Sequence, residues 1–108
     1  MSEKFLYLTT TGRVTGHPHV IEIWYVDYEN CFYLCSGGRE KADWVQNIQH
    51  KPDVRFYIAE RDTPSAPNPA TANIPDQNSA LVQQIKTLFK QKYDWNDGLI
   101  IEICPTSD

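Results

Sequence analysis

Short apolar runs separated by polar breaks recur along the chain and predict a protein built mainly from β-strands. The runs cover residues 5–11, 20–27, 31–36, 54–60 and 99–104. In the fourth run, Val54, Phe56 and Ile58 occupy alternate positions, which is the pattern of a half-buried strand. Only the polar residues 28–30 separate the second run from the third, so these two strands are expected to form a tight hairpin.

Two stretches show helical spacing instead. Residues 40–49 place Trp44, Val45 and Ile48 on one stripe, and Pro52 closes the segment. A longer stripe within residues 78–93 consists of Leu81, Val82, Ile85, Leu88 and Phe89. Residues 61–76 hold four of the seven prolines and match neither period. They are therefore expected to form a long surface loop.

The order of these elements predicts a mainly β (α+β) fold. Many strands and only two helices favour a small antiparallel β-barrel with the helices outside it. At 108 residues, the chain is expected to form a single domain over residues 1–108. A ligand site in so small a domain often borrows walls from a second subunit.

Charge and composition exclude several classes of partner. The net charge of −4 argues against nucleic acid, because phosphate neutralisation needs a basic face. No apolar run reaches 18 residues, so no membrane span is expected, and the N-terminus lacks the apolar segment of a signal peptide. The three cysteines are odd in number and lie in strand-like runs. The protein is therefore expected in the cytoplasm.

The connection between the first two strands is the first candidate site. It contains Thr9, Thr10, Thr11 and Arg13, followed by Gly16 and a proline. Hydroxyls, an always-charged guanidinium and permissive glycines suit a phosphate or carboxylate ligand. The alternative is an ordinary surface loop, because threonine and glycine are common turn residues.

A second candidate follows the third strand and leads into the first helix. Ser36, Gly37, Gly38 and Lys41 combine free backbone N–H groups, a close approach and a mobile charge, which suit an anion. The alternative is a loop that only caps the helix. Trp44 and Asn47 lie three residues apart and share one side of that helix. Trp44 is expected in the core, and Asn47 would need a partner there.

No catalytic or metal-binding set is recognisable. The chain has no serine–histidine–aspartate arrangement and no zinc motif. Cys31 and Cys35 lie four residues apart on one strand, roughly 13 Å from each other, which is too far to share an ion. No metal site is expected, and the catalytic residues stay unknown. This absence is compatible with chemistry carried by a bound cofactor, and equally with no chemistry at all.

Three motifs in order resemble a known family: LTTTGRVTGHP, EIWYV, and SGGREKADW followed by Asn47 and Pro52. Over about residues 5–60, the chain resembles the split β-barrel oxidoreductases related to pyridoxamine 5′-phosphate oxidase. The nearest branch is the deazaflavin-dependent nitroreductases. The chain lacks that branch's lysine between Ser36 and Gly37, and His19 stands where a basic residue often occurs.

The resemblance implies a split β-barrel of the FMN-binding type that forms a homodimer with cofactors at the interface. Residues 9–11 and Arg13 would meet the ribityl-phosphate side, while Ser36, Gly37, Gly38 and Lys41 would wrap the phosphate. Trp44 and Asn47 would line the pocket, with Trp24 and Tyr25 on the strand behind the ring.

The expected function is an oxidoreductase that binds FMN or 8-hydroxy-5-deazaflavin (coenzyme F420) and acts on a small organic molecule. FMN is slightly favoured, because one phosphate needs fewer basic residues than an extended anionic tail. The alternatives are a non-catalytic flavin-binding or ligand-sensing module, and a structural dimer whose site has decayed.

Overall fold

The computed structural model describes residues 3–106 as a seven-stranded antiparallel sheet with two α-helices. The elements are β1 (Lys4–Thr11), β2 (Pro18–Ile23), β3 (Val26–Tyr28), β4 (Cys31–Ser36), a 3₁₀ turn (Arg39–Lys41), α1 (Asp43–His50), β5 (Asp53–Glu60), β6 (Asn68–Asn73), α2 (Ala80–Tyr93) and β7 (Leu99–Pro105). The strand order in the sheet is β2-β1-β5-β6-β7-β4-β3. This architecture confirms the predicted split β-barrel with two flanking helices.

The sheet curls because its two edge strands are consecutive in the chain. β2 and β3 lie at opposite ends of the strand order, yet only Trp24 and Tyr25 connect them. Two residues span at most about 10 Å, so the edges must come together. The Tyr93 hydroxyl fixes this corner, since it accepts a hydrogen bond from the Tyr25 N–H at 3.1 Å and donates one to the Tyr25 carbonyl at 2.8 Å.

The single strand predicted over residues 20–27 is therefore wrong. The strand breaks at Trp24, which turns out of the ladder and stacks on Tyr93 at 4.5 Å between ring centroids. The apolar run continues through this position, so the sequence pattern does not show the break. The hairpin predicted between the second and third runs is confirmed as β3 and β4. Its two turn residues, Glu29 and Asn30, both have positive φ, which matches the twist of a hairpin.

The loop predicted over residues 61–76 contains a strand, β6, which pairs with both β5 and β7. Ala70 and Ala72 alternate inward and are buried, but such small side chains give a weak apolar signal. Pro69 lies next to the start of the strand, where a missing N–H costs the ladder least. The proline-rich loop is thus shorter than predicted.

The barrel interior is one apolar core that α1 closes at one end. Val45 and Ile48 of α1 pack with residues from the inner faces of five strands. α1 begins at Asp43, later than the helix predicted over residues 40–49, so Lys41 belongs to the 3₁₀ turn. α2 packs on the outside of β4 and β7 through Val82, Ile85 and Phe89. No helix within residues 3–106 is long and apolar enough to cross a bilayer.

The cysteines pair in a way that the sequence did not suggest. Cys31 at the start of β4 and Cys104 near the end of β7 form a disulfide across the two strands. Cys35 is a buried free thiol. Spacing along the sequence relates Cys31 only to Cys35. The strand register that brings Cys104 beside Cys31 depends on the fold.

Candidate functional site

A cavity of about 510 Å³ lies between the β1–β2 hairpin loop and α1, and we call it the hairpin cavity. Its lining comes from the loop, from β2 and from α1: Gly12, Arg13, Val14, Thr15, His19, Val20, Ile21, Asp43, Trp44 and Asn47. Pockets of roughly 300–1,000 Å³ are typical of small-molecule sites. The volume therefore suits part of a ligand of cofactor size.

Asn47 fastens the hairpin loop to α1. Its side chain is 3% exposed, and its Oδ1 accepts hydrogen bonds from the Arg13 backbone N–H at 3.2 Å and from Arg13 Nη1 at 2.8 Å. Its Nδ2 donates to the buried Thr10 hydroxyl at 3.2 Å. The partner that the sequence required for a buried Asn47 is thus found in the hairpin.

Arg13 also forms an ion pair at the rim of the cavity. Its Nη2 lies 3.2 Å from Asp43 Oδ1, and the Asp43 side chain is 88% exposed. An ion pair so exposed contributes only about 0–1 kcal/mol. Asp43 can therefore turn away at little cost and leave the guanidinium to an anionic ligand.

Gly12 allows the hairpin loop to fold tightly against β2. A Cβ at this position would lie 2.7 Å from His19 Nε2 and 3.2 Å from the His17 carbonyl oxygen. The Gly12 N–H donates to that same carbonyl at 2.8 Å. A side chain here would push His19 away and reshape the wall of the cavity.

A second cavity of about 280 Å³ lies further along β2, and we call it the tryptophan cavity. Its lining consists of Phe5, Glu22, Ile23, Trp24, Cys35, Arg61 and Trp95. Trp24 remains 39% exposed although it stacks on Tyr93 with 5° between the ring planes. Trp95 meets Trp24 edge-on at 6.5 Å. A rigid, partly exposed indole of this kind offers a platform for a planar ligand.

One wall of the tryptophan cavity is charged and fully paired. Glu22 accepts hydrogen bonds from Arg61 at 2.9 Å and from the Tyr7 hydroxyl at 2.8 Å. The hydrogen bond from Arg61, followed by that from Tyr7, lowers the pKa of Glu22. Desolvation and the Glu22 carboxylate raise the pKa of Tyr7 to about 12. At neutral pH, Glu22 is thus a carboxylate and Tyr7 a neutral phenol.

The lining of the tryptophan cavity also includes the free thiol of Cys35. Burial raises its pKa from 9.0 to about 11. The thiol is therefore neutral at physiological pH and presents a small apolar surface.

The two cavities follow one edge strand from end to end. The hairpin cavity uses residues 19–21 and the tryptophan cavity uses residues 22–24. Within the described part of the chain, β2 pairs only with β1, so its other edge leaves backbone N–H and C=O groups without ladder partners. We call this combined surface the β2 groove. One end of it is polar and the other is aromatic.

Some residues predicted from the hairpin motif meet in this groove and others do not. Arg13, Trp44 and Asn47 line the hairpin cavity, and buried Thr10 supports Asn47 from below. Thr9 and Thr11 instead line a separate cavity of about 390 Å³. β1 extends through Thr11, so Thr9 and Thr11 point away from Thr10. The three threonines therefore do not present their side chains to one site.

The second motif lies beside the groove, outside the linings of both cavities. Ser36 is buried, and its hydroxyl donates to the Arg39 carbonyl at 3.2 Å. Gly38 is the N-cap of the 3₁₀ turn and Lys41 ends it, with its side chain exposed. A Cβ at Gly37 would lie 3.6 Å from the Trp95 ring, so Gly37 borders the aromatic end of the groove.

Sequence reasoning missed Arg61 and Trp95, which close the tryptophan cavity. Arg61 follows β5, where the proline-rich loop begins, and Trp95 lies just after α2. Both positions are far along the chain from the two motifs. The three tryptophans of the chain all line the groove. The number of tryptophans in so small a protein was the one available signal.

Comparison with known proteins gives one family match. A sequence profile of the F420H(2)-dependent quinone reductase family matches residues 1–98. None of the curated protein sequences matches the chain.

Solved structures share the fold. The chain is similar to HutZ, the heme storage protein from Vibrio cholerae, with a TM-score of 0.78 and 17% identity over 96% of this chain and 82% of that chain. It is also similar to an F420 reductase, with a TM-score of 0.62 and 20% identity over 95% and 86% of the two chains. An F420-H2 dependent reductase, FDR-A, gives a TM-score of 0.64 and 16% identity over 92% and 91%. At these identities the likeness concerns the fold alone.

Proposed function

The chain belongs to the F420H(2)-dependent quinone reductase family, and we propose that it is an oxidoreductase that binds the deazaflavin F420 in the β2 groove. The resemblance expected from the sequence is thereby confirmed at the level of the family. The family supports the deazaflavin as the cofactor, whereas the sequence alone slightly favoured FMN. The observation that carries the proposal is the β2 edge, which has no ladder partner within residues 3–106 and which has a cationic, polar end and an aromatic end.

The polar end suits the ribityl phosphate of the cofactor. The Arg13 guanidinium is held by Asn47 at the mouth of the hairpin cavity, and its partner Asp43 is exposed and replaceable. A charge-assisted hydrogen bond from arginine to phosphate is stronger than the exposed ion pair that it would replace. Lys41 lies outside the cavity lining and would add only long-range attraction.

The aromatic end suits the planar ring. Trp24 presents a rigid face, and Trp95 and Phe5 supply apolar walls. The unpaired backbone groups of β2 can donate to and accept from the amide edge of a flavin-like ring. Gly37 lets a ligand approach Trp95 closely, because the space that a Cβ would take is empty.

The protein's part in the reaction would be to bind, orient and shield. A bound deazaflavin supplies the hydride chemistry. Glu22 stays ionised and paired with Arg61, and Cys35 stays a neutral thiol, so neither is poised as a proton donor at neutral pH. This agrees with the absence of a recognisable catalytic set in the sequence. The substrate class we propose is a small organic acceptor such as a quinone.

We further propose that residues 1–108 act as one flavin-binding domain, in the cytoplasm, and that two copies pair over the groove. Val14 at the rim of the hairpin cavity is 88% exposed and Val20 is 60% exposed. A second copy would cover these side chains and complete the cofactor site. A specific dimer buries at least about 1,200 Å² in total. Light scattering should give twice the chain mass, and a monomer at micromolar concentration would contradict the pairing.

The function is tested by mixing purified protein with reduced F420 and a soluble quinone such as menadione. The proposal predicts saturable F420 binding and cofactor oxidation faster than in the same mixture without protein. Binding without faster oxidation by quinones, nitroaromatics or oxygen would favour the ligand-sensing module. Binding of FMN but not F420 would overturn the choice of cofactor, and binding of neither would overturn the flavin site itself.

A further inference from the structure

Cys31 and Cys104 occupy opposed positions on β4 and β7, outside both cavities of the β2 groove. The register pairs Phe32 with Ile103, so the two cysteines face each other one step further along the ladder. Their Cα atoms are 4.5 Å apart and their sulfurs are joined. Both residues are partly exposed. Small thiols and metal ions in solution can therefore reach the pair.

A carboxylate lies beside the two sulfurs. Glu102 is two residues before Cys104 on β7, so both side chains point to the same face of the sheet. A Glu102 carboxylate oxygen and the two Sγ atoms all lie within 4.8 Å of one another. The Tyr33 hydroxyl donates a 2.7 Å hydrogen bond to Glu102 Oε2 and so orients this carboxylate. Three groups of ligand type thus meet at one point.

The surroundings of this point are negatively charged. Asp27 and Glu29 line a hollow of about 620 Å³ that also includes Cys31. Among residues 3–106, none of the ion pairs involves Asp27, Glu29 or Glu102. The uncompensated charge favours the approach of a cation.

We propose that reduction of the Cys31–Cys104 disulfide creates a binding site for a thiophilic divalent cation such as Zn²⁺, with both thiolates and the Glu102 carboxylate as ligands. Zinc takes these ligand types, and three protein ligands leave a fourth position for water. Metal–sulfur bonds of about 2.3 Å place two tetrahedral sulfurs roughly 3.8 Å apart. The disulfide and the bound ion therefore exclude each other, and rotation about the cysteine Cα–Cβ bonds separates the sulfurs.

The two states interconvert by thiol–disulfide exchange. Two molecules of a small thiol donate two electrons and two protons, the protein S–S bond breaks, and the small thiols leave joined as one disulfide. The ion then binds with release of both protein thiol protons. Oxidation by a small disulfide reverses the sequence and releases the ion. In a reducing cytoplasm, the ion would replace the disulfide as the link between β4 and β7.

The test is a titration of the reduced full-length protein with Co²⁺, a spectroscopic substitute for Zn²⁺, under anaerobic conditions. We expect one ion per chain, a thiolate-to-cobalt absorption band in the near ultraviolet, and displacement of Co²⁺ by Zn²⁺. The oxidised protein should show none of these. Cys35→Ala is the matched control, because it removes the buried thiol on the same strand and should leave the titration unchanged.

Two variants separate coordination from folding. Cys104→Ser should abolish the band, and Glu102→Gln, which keeps both thiols, should weaken Co²⁺ binding by about tenfold or more. Circular dichroism shows whether each variant is folded. No saturable binding by the reduced protein would overturn the proposal, as would a Glu102→Gln variant that is folded and binds as tightly as the wild type.

Discussion

Replacing Asn47 tests the contact on which the hairpin cavity depends. The Asn47 side chain makes three hydrogen bonds, two to Arg13 and one to Thr10, and it is almost completely buried. Asn47→Ala removes all three and leaves the buried Thr10 hydroxyl without its donor. The hairpin loop then has no hydrogen bond from this side chain to hold it against α1.

The magnitude follows from the partners. Each hydrogen bond is worth about 1 kcal/mol net, and a buried group left unpaired costs more than an exposed one. The Arg13 guanidinium can recover water, because its side chain is 33% exposed, whereas Thr10 cannot. We therefore expect Asn47→Ala to lower the free energy of unfolding by about 2–3 kcal/mol. With a urea slope of about 1.5 kcal/mol per molar, the midpoint falls by roughly 1.3–2 M.

The assay is equilibrium urea unfolding followed by tryptophan fluorescence. Gln46→Ala is the control on the same helix, because Gln46 is only half-buried and makes one side-chain hydrogen bond of 3.3 Å, to the Lys41 carbonyl. Its midpoint should move by much less than that of Asn47→Ala. Equal midpoints for the wild type and Asn47→Ala would refute the role assigned to Asn47 in holding the loop.

Three further predictions follow from the contacts. Arg13→Ala should weaken F420 binding about ten- to hundredfold in calorimetry, and should weaken the phosphate-free deazariboflavin much less. Lys41→Ala should change the affinity for both ligands only a little. Equal losses of affinity for both ligands in Arg13→Ala would contradict phosphate recognition. Tyr93→Phe removes both hydrogen bonds to the Tyr25 backbone and should cost about 1–2 kcal/mol in urea unfolding; an unchanged midpoint would show that the corner does not need them. Burial raises the pKa of Cys35 from 9.0 to about 11, so the folded chain holds this proton more tightly than the unfolded chain between those values. The free energy of unfolding should therefore fall as pH rises from 9 to 11, and fall less in Cys35→Ala; identical slopes would contradict the assignment.

The fold was predictable where side chains carry a strong signal. Alternating large residues marked β1 and β5, and the apolar stripe marked α2, whose N-cap Ser79 accepts from the Val82 N–H. α1 has Ala42 at its N-cap, with no side-chain hydrogen bond, so no capping residue marks where this helix begins. β6 was missed because its buried residues are alanines. Its identity as a strand comes from pairing on both sides, which no local pattern encodes.

Two residues of the candidate site were selected from separate motifs, and the fold brings those motifs together. Arg13 and Asn47, 34 residues apart, were both selected from the sequence, and the structure joins them directly. Thr9, Thr10 and Thr11 do not share one face, because the strand continues through them and alternation turns Thr10 away from the other two. Arg61 and the disulfide escaped prediction, since strand register brings their partners together from distant parts of the chain.

The most direct test of the β2 groove as the cofactor site is an NMR titration of ¹⁵N-labelled protein with F420, read at the tryptophan indole N–H signals. The chain has three tryptophans, and all three line the groove: Trp44 at the polar end, Trp24 and Trp95 at the aromatic end. All three indole signals should shift and saturate together at the same F420 concentration, with the backbone amides of β2. Saturable binding that leaves the three indole signals in place would show that the cofactor binds elsewhere and would contradict binding in the β2 groove.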